Sequence, residues 1–114
     1  MEAYDLYTEL QTKTQQLNYS IKELRKNGTA YAEKEKAYKM LLRTEVLKLR
    51  DEGMAVGIID RVCLGIPSVA EARFERDCAE AVYRANQEAI NVLKLQMRLI
   101  ENQLSREYGA NLSD

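Results

Sequence analysis

The chain contains no histidine and no tryptophan, and only one proline and five glycines among its 114 residues. The absence of histidine removes the commonest general base and the commonest metal ligand. The scarcity of proline and glycine argues against the many tight turns of a β-sandwich or barrel. No glycine-rich phosphate-binding loop is present either. We therefore expect a protein that is not an enzyme and that uses no cofactor or metal.

The sequence is also poor in cysteine and in long apolar runs. Cys63 and Cys78 are the two cysteines, and two thiols without histidine do not make a zinc site. A disulfide between them is geometrically possible, but the first residues do not have the pattern of a signal peptide. No apolar run approaches 18 residues, so no transmembrane helix is predicted. We expect a cytoplasmic protein with both thiols free.

What the sequence does contain is helical periodicity. Apolar or small residues recur at alternating spacings of three and four, which is typical of a coiled-coil seam: Tyr7, Leu10, Thr14, Leu17, Ile21 and Leu24. The same phase continues across Gly28 to Tyr31, Tyr38 and Leu42. This register predicts one long helix over about 4–52, weakened or kinked at 27–29. Two helices joined by a turn at 27–29 are the alternative.

Two further helices are predicted after the first. Gly53 is placed to end the long helix in a left-handed conformation, and the apolar stretch that follows predicts a short helix over about 56–64. Ser68 and Glu71 have the spacing of a reciprocal capping box, which predicts a second long helix over about 69–108. Gly109 is the predicted stop of that helix.

The last helix has an apolar seam of regular spacing, formed by Tyr83, Asn86, Ile90, Leu93, Met97, Ile100 and Leu104. A second apolar face adds Val82, Ala85, Ala89 and Val92. Because this coverage is wider than one partner helix needs, we expect association through the seam. Asn86 either fixes the register of the seam or contacts a ligand. The predicted fold is all-α: a single domain over 1–114, an elongated antiparallel helical hairpin that resembles a coiled coil, with a short helix at its turn, assembled as a homo-oligomeric bundle.

The distribution of charge is uneven, although the net charge is only −1. Residues 22–50 contain nine cations and four anions. Lys36, Lys39 and Arg43 follow three-and-four spacing and share one face of the helix, and Tyr31 and Tyr38 lie on the same helix. A basic face with nearby aromatic rings suits single-stranded nucleic acid. The alternative is an ordinary solvated face, with both tyrosines packed in the seam.

Two stretches carry a resemblance to a known group of proteins. They are Leu47–Met54 and a longer one that includes Arg76-Asp77, Tyr83–Asn91, Lys94-Leu95 and Arg106–Gly109. Over roughly residues 30–109 the chain resembles small, uncharacterised helical proteins of Gram-positive phages and prophages, whose genes lie among recombination and replication genes. Its layout is distantly similar to the T4-type recombination mediators, which load recombinase onto single-stranded DNA. The resemblance implies a location in the bacterial host cytoplasm and assigns no functional residue.

Together these features predict a phage-encoded accessory protein of DNA recombination or replication that binds single-stranded DNA or its coating proteins. Lys36, Lys39 and Arg43 are the predicted contacts. The alternative is an inhibitor of a host protein or bacterial defence system, docking through an apolar patch of Met54, Val56, Ile59 and Val62. A structural or chaperone role in virion assembly is a third possibility. A homo-oligomer is expected, and neither a membrane nor a small-molecule substrate is an expected partner.

Overall fold

A computed structural model describes residues 2–113, with side chains described up to Gly109. It contains three α-helices: α1 (Ala3–Asp51), α2 (Val56–Leu64) and α3 (Pro67–Ser113). No strand is present between residues 2 and 113, so the all-helical prediction is confirmed. Within that range no helix has a stretch long and apolar enough to cross a bilayer.

Helix α1 runs without a break through Asn27 and Gly28, so the structure has one helix here and no turn at 27–29. The glycine has a packing reason. A Cβ atom built on Gly28 would lie 3.0 Å from Cε1 of Tyr83, closer than ordinary van der Waals contact. The missing side chain therefore lets the Tyr83 ring approach the backbone of α1.

The end of α1 is set by Gly53, as the sequence predicts. Gly53 has a φ of +91°, and the Met54 amide donates to the Leu49 carbonyl at 3.1 Å. A bond that reaches back five residues past a left-handed glycine is the Schellman arrangement, which satisfies carbonyls that the last helical turn leaves open. The chain therefore turns sharply between α1 and α2.

Both ends of α3 differ from the sequence prediction. The helix begins at Pro67, with the Ala70 amide donating to the Ile66 carbonyl at 2.9 Å, so Ser68 lies inside the first turn and is not the cap. Proline is favoured at the first helical position because its φ is preset and it has no N–H to satisfy. At the other end, α3 continues through Gly109 to Ser113. A glycine inside a helix costs only about 1 kcal/mol relative to alanine, and no proline follows to stop it.

The chain divides into two compact units, and the first joins the start of α1 to the end of α3 (Met1–Arg25 and Arg84–Asp114). Its buried side chains are Leu6, Ile90 and Ile100. The Asn86 amide donates to the Ser20 carbonyl at 3.1 Å, and Ala3 lines a small pocket with Leu104. Within this unit the two helical segments therefore run antiparallel.

The second unit comprises Lys26–Tyr83 and includes all of α2. Its buried side chains come from all three helices and are Tyr38, Ile59, Cys63 and Val69. Ile59 and Cys63 stand four residues apart, so α2 covers this core with one face. The unit also contains most of the basic part of α1, and with it the predicted nucleic-acid contacts Lys36, Lys39 and Arg43.

Candidate nucleic-acid interface

The predicted nucleic-acid contacts lie on α1 within the second unit. Lys36, Lys39 and Arg43 are all exposed, and we call them the basic face. Lys39 is 3.3 Å from the Glu35 carboxylate, but its side chain remains 70% exposed. Lys36 and Arg43 have no carboxylate within 4 Å among the side chains up to Gly109. An exposed ion pair of this kind contributes little energy, so all three cations are available to an outside anion.

Two other cations of the same unit, Lys34 and Arg76, form ion pairs between α1 and α3. Lys34 pairs with Glu75 at 3.3 Å, which ties α1 to α3. Arg76 pairs with Asp77 at 2.8 Å and with Glu35 at 3.5 Å, and only 20% of its side chain is exposed. Burial disfavours the charge of Arg76, but the hydrogen bond and charge of Asp77, together with Glu35, outweigh it, so the pKa of Arg76 lies above its ordinary value. This cluster is not evident from the sequence, because it depends on which residues of α1 and α3 face each other.

The two tyrosines near the basic face are packed inside the unit, as in the alternative interpretation of the sequence. Tyr38 is 7% exposed, and the Arg76 guanidinium lies 4.6 Å from its ring centroid. Tyr31 is half-buried against Tyr83, with ring centroids 6.0 Å apart and planes tilted by 32°. Neither ring is therefore a stacking platform for a base.

Exposed apolar side chains nevertheless flank the basic face. Met40 and Leu47 are both exposed on α1. Their helical positions lie within about 60° of Lys36 and Arg43, at 100° per residue. The surface thus combines phosphate-binding cations with apolar side chains against which a base can lie.

The predicted seam of α3 is covered inside a single chain. Ile90 and Ile100 are buried, and the other members are half-buried: Tyr83, Asn86, Leu93, Met97 and Leu104. Asn86 has a protein partner in Ser20, described above. Little apolar area on these residues is left for a second copy, so the excess apolar surface of α3 lies on another face.

The predicted protein-docking patch is only half accessible. Ile59 is 2% exposed and belongs to the core, so its inclusion in the patch is wrong, and Met54 is half-buried. Val56 and Val62 are exposed as expected. Ile58, four residues before Val62, is also exposed. The exposed apolar side chains of α2 are therefore Val56, Ile58, Val62 and Leu64, which the short length of the helix made hard to assign from periodicity.

The cysteines differ in their surroundings. Cys63 is fully buried in α2, whereas Cys78 is exposed on α3, and the two are not bonded to each other. Burial, together with the nearby charges of Glu45 and Asp60, raises the pKa of the Cys63 thiol. Over the described part of the chain, no three acidic or thiol side chains lie close enough together to hold a metal ion.

An open groove of about 540 Å³ lies in the first unit, between Leu24 of α1 and α3. Its charged lining residues are Arg84, Glu88 and Lys94.

Comparison with known protein families, with curated proteins and with solved structures gives no match. The surfaces of this chain alone therefore indicate its function.

Proposed function

We propose that the chain is a non-catalytic protein that binds single-stranded nucleic acid through its basic face. The observation that carries this proposal is the contrast among cations in the second unit. Lys34 and Arg76 are paired across the helices, whereas Lys36, Lys39 and Arg43 project outward in one row. In this row only Lys39 has an ion-pair partner, Glu35 of the same helix, and the pair is exposed. The spacing of the three cations matches the spaced charges of a phosphate backbone.

A single strand fits this surface better than a duplex does. The exposed side chains of Met40 and Leu47 beside the cations offer apolar contact to bases, and only an unpaired strand can turn its bases toward a protein surface. With the nearby tyrosines packed away, phosphate contacts supply most of the affinity. We accordingly expect weak binding per chain, strengthened when several copies present the same face.

The wider setting follows from the resemblance to phage proteins. We propose a helical hairpin in which α1 and α3 pair along their lengths, assembled as a homo-oligomer in a bacterial host cytoplasm. There it would serve DNA recombination or replication by contacting single-stranded DNA or the proteins that coat it. Repetition of the basic face in the assembly turns three contacts into a multivalent site.

The test is a triple charge reversal. The variant Lys36→Glu, Lys39→Glu, Arg43→Glu should keep the helix content of the wild type, because solvated charges contribute little to folding. It should lose binding to a fluorescent single-stranded oligonucleotide at low salt. The matched control reverses three exposed arginines elsewhere, Arg61, Arg73 and Arg106, and should keep most of the binding. Equal loss in both variants would contradict a specific basic face.

A second function is favoured by the exposed aliphatic side chains of α2. We propose as the alternative that Val56, Ile58 and Val62 dock a host protein and occlude it. The double variant Ile58→Glu, Val62→Glu should fold normally, because both residues are exposed. If this function is correct, a host protein captured by the wild type is lost with this variant and retained by the triple charge reversal. The opposite pattern would favour the nucleic-acid function.

A further inference from the structure

Helix α3 has a second apolar stripe that the structure leaves uncovered. Its eight positions are all exposed, and we call them the outer stripe: Phe74, Cys78, Ala81, Ala85, Glu88, Val92, Leu95 and Leu99. The larger members are exposed to a substantial degree, with Phe74 at 62%, Leu95 at 54% and Leu99 at 58%. Seven of the eight residues are apolar, which is unusual for a solvated helix surface.

The spacing of the outer stripe is that of a coiled coil. Successive members are four, three, four, three, four, three and four residues apart. A strict average of 3.5 residues keeps a stripe facing one partner helix along its length, whereas a free helix surface has no need of it. The spacing therefore indicates that another long helix covers the stripe.

The sizes of the side chains along the outer stripe indicate that the covering helix is α3 of a second copy. After Phe74, the small residues Cys78, Ala81 and Ala85 complete the first half, and Val92, Leu95 and Leu99 occupy the second. Antiparallel pairing sets Phe74 against Leu99 at each end. If a second copy of α3 runs antiparallel, Cys78 faces Leu95, Ala81 faces Val92 and Ala85 faces Glu88 of that copy. Every inner layer then joins one small and one larger side chain, which fills space evenly. A parallel copy would place alanine against alanine and leave voids.

The charges select the same arrangement. In a parallel pair Glu88 would face Glu88 of the second copy, and like charges at close range are unfavourable. In the antiparallel pair Glu88 faces Ala85 of the second copy, so the two Glu88 carboxylates lie in adjacent layers and do not face each other directly. Asp77 and Arg98 each precede a stripe position by one residue, so antiparallel pairing brings them together on the same side of the interface, twice by symmetry.

From these complementarities we propose that two copies of this chain associate as an antiparallel, two-fold symmetric pair through the outer stripe. The inference deepens the assembly in the proposed function, and it assigns that assembly to a face other than the inner seam of Ile90 and Ile100. The partner surface is the same stripe, as two-fold symmetry requires.

A cysteine cross-link tests the geometry, because one native thiol already lies in the stripe. In Leu95→Cys, antiparallel pairing places the new thiol opposite Cys78 of the second copy. Mild oxidation should therefore give a covalent dimer whose peptide map shows the 78–95 linkage. The same two residues of one chain are 17 positions apart, about 25 Å along a helix, which no disulfide can bridge. Gln87→Cys, exposed but off the stripe, is the control and should give no linkage between 78 and 87.

Linkages between identical residues would overturn the proposal. A parallel pair would join Cys78 to Cys78 in the oxidised wild type and residue 95 to residue 95 in Leu95→Cys. The antiparallel pair predicts that the wild type remains without a cross-link. Cys63 does not interfere, because it is fully buried.

Sedimentation equilibrium tests the surface itself. The wild type should sediment at twice 13.1 kDa, and Leu95→Glu should sediment at 13.1 kDa with the same helical circular dichroism, because Leu95 is exposed in the single chain. A monomeric wild type, or a Leu95→Glu variant that stays dimeric, would contradict the outer stripe. Oligonucleotide binding by monomeric Leu95→Glu, measured in parallel, separates the two proposals, since weak binding that depends on the basic face can survive the loss of the dimer.

Discussion

At the scale of single residues, Gly28 shows how a missing side chain sets a close contact. Glycine inside a helix is less favourable than alanine by about 1 kcal/mol, but the Tyr83 ring occupies the space that a methyl group would need. The Tyr83 ring in turn lies against the Tyr31 ring in a tilted arrangement. The two rings therefore limit how far Tyr83 can move to make room for a larger residue at position 28.

The first prediction follows from that contact. Gly28→Ala should lower the free energy of unfolding in the wild-type background, because Tyr83 must shift. With Tyr83→Ala already present, the same substitution should raise it by about 1 kcal/mol, the helix-propensity gain. Urea unfolding of the four proteins measures the coupling. Gly109→Ala is the control and should not destabilise, because a Cβ built there meets no atom of the described residues within 4 Å. Equal effects of Gly28→Ala in both backgrounds would refute the contact.

The second prediction concerns the two thiols. In the monomeric Leu95→Glu variant, which leaves the outer stripe uncovered, Cys78 should react within seconds to minutes with a thiol reagent, and Cys63 should react only as fast as the protein opens. Burial raises the pKa of Cys63, so the folded protein favours the neutral thiol. The contribution of this preference to the free energy of unfolding is complete below the pKa of an unfolded thiol. It is lost as pH rises through the pKa of the folded state. The free energy of unfolding should therefore fall at alkaline pH, and less steeply in Cys63→Ala. Equal labelling rates of the two thiols would contradict this description.

At the scale of the elements, Asn86 connects α3 to α1. Its amide donates to the Ser20 carbonyl, so the residue is held by a specific partner within the first unit. Replacing it with leucine removes this bond, and we expect a loss of about 1 kcal/mol in the free energy of unfolding. This direction is opposite to the gain expected of a polar residue that only specifies register.

The third prediction uses Asn86→Asp, which tests the same hydrogen bond through its dependence on pH. The new carboxylate would face the Ser20 carbonyl oxygen, so its pKa should be raised in the folded state. The variant should be less stable than the wild type at pH 7, and the difference should shrink as pH falls below about 4, where the acid can donate a hydrogen bond. Thermal unfolding of both proteins from pH 3 to 7 measures this. A difference that does not change with pH would show that Asn86 makes no such bond.

Much of the helical architecture could be predicted from sequence because it depends on local signals. Four-three spacing across Gly28 predicts a continuous α1, and the apolar segment after the left-handed Gly53 predicts α2. The errors have physical reasons. Ser68 satisfies the capping pattern, but Pro67 is the stronger start, and Gly109 has no following proline to make it a stop.

The candidate site was harder to predict, because it depends on pairing between helices. The heptad phase places Tyr38 on the seam of α1, and the ring is buried there, but the Arg76 guanidinium that lies over it comes from α3 and cannot be assigned from local spacing. The sequence predicts the apolar seam of α3, but it does not show which surface covers that seam. Ile90 and Ile100 face the same chain, whereas the outer stripe shares the four-three signal and stays exposed. The second apolar face predicted from the sequence, Val82, Ala85, Ala89 and Val92, is exposed and shares Ala85 and Val92 with this stripe.

At the scale of the whole molecule, the fourth prediction separates folding from assembly. Leu93→Asp places a charge at a half-buried position of the inner seam, and it should destabilise the single chain by several kcal/mol. Leu95→Glu, two residues away but exposed, should leave the folded chain intact. Circular dichroism with thermal unfolding compares the two. Similar stability losses would show that the two faces of α3 do not differ as described.

The most direct measurement of the central claim is the salt dependence of single-strand binding by the wild type. Fluorescence anisotropy with a labelled oligonucleotide, from about 20 to 200 mM salt, gives the slope of log affinity against log salt. Three phosphate contacts on a single strand predict a slope of about −2 per chain, and the triple reversal of the basic face should abolish it. Absence of binding at the lowest salt, or an unchanged slope in the triple variant, would contradict a nucleic-acid function for Lys36, Lys39 and Arg43.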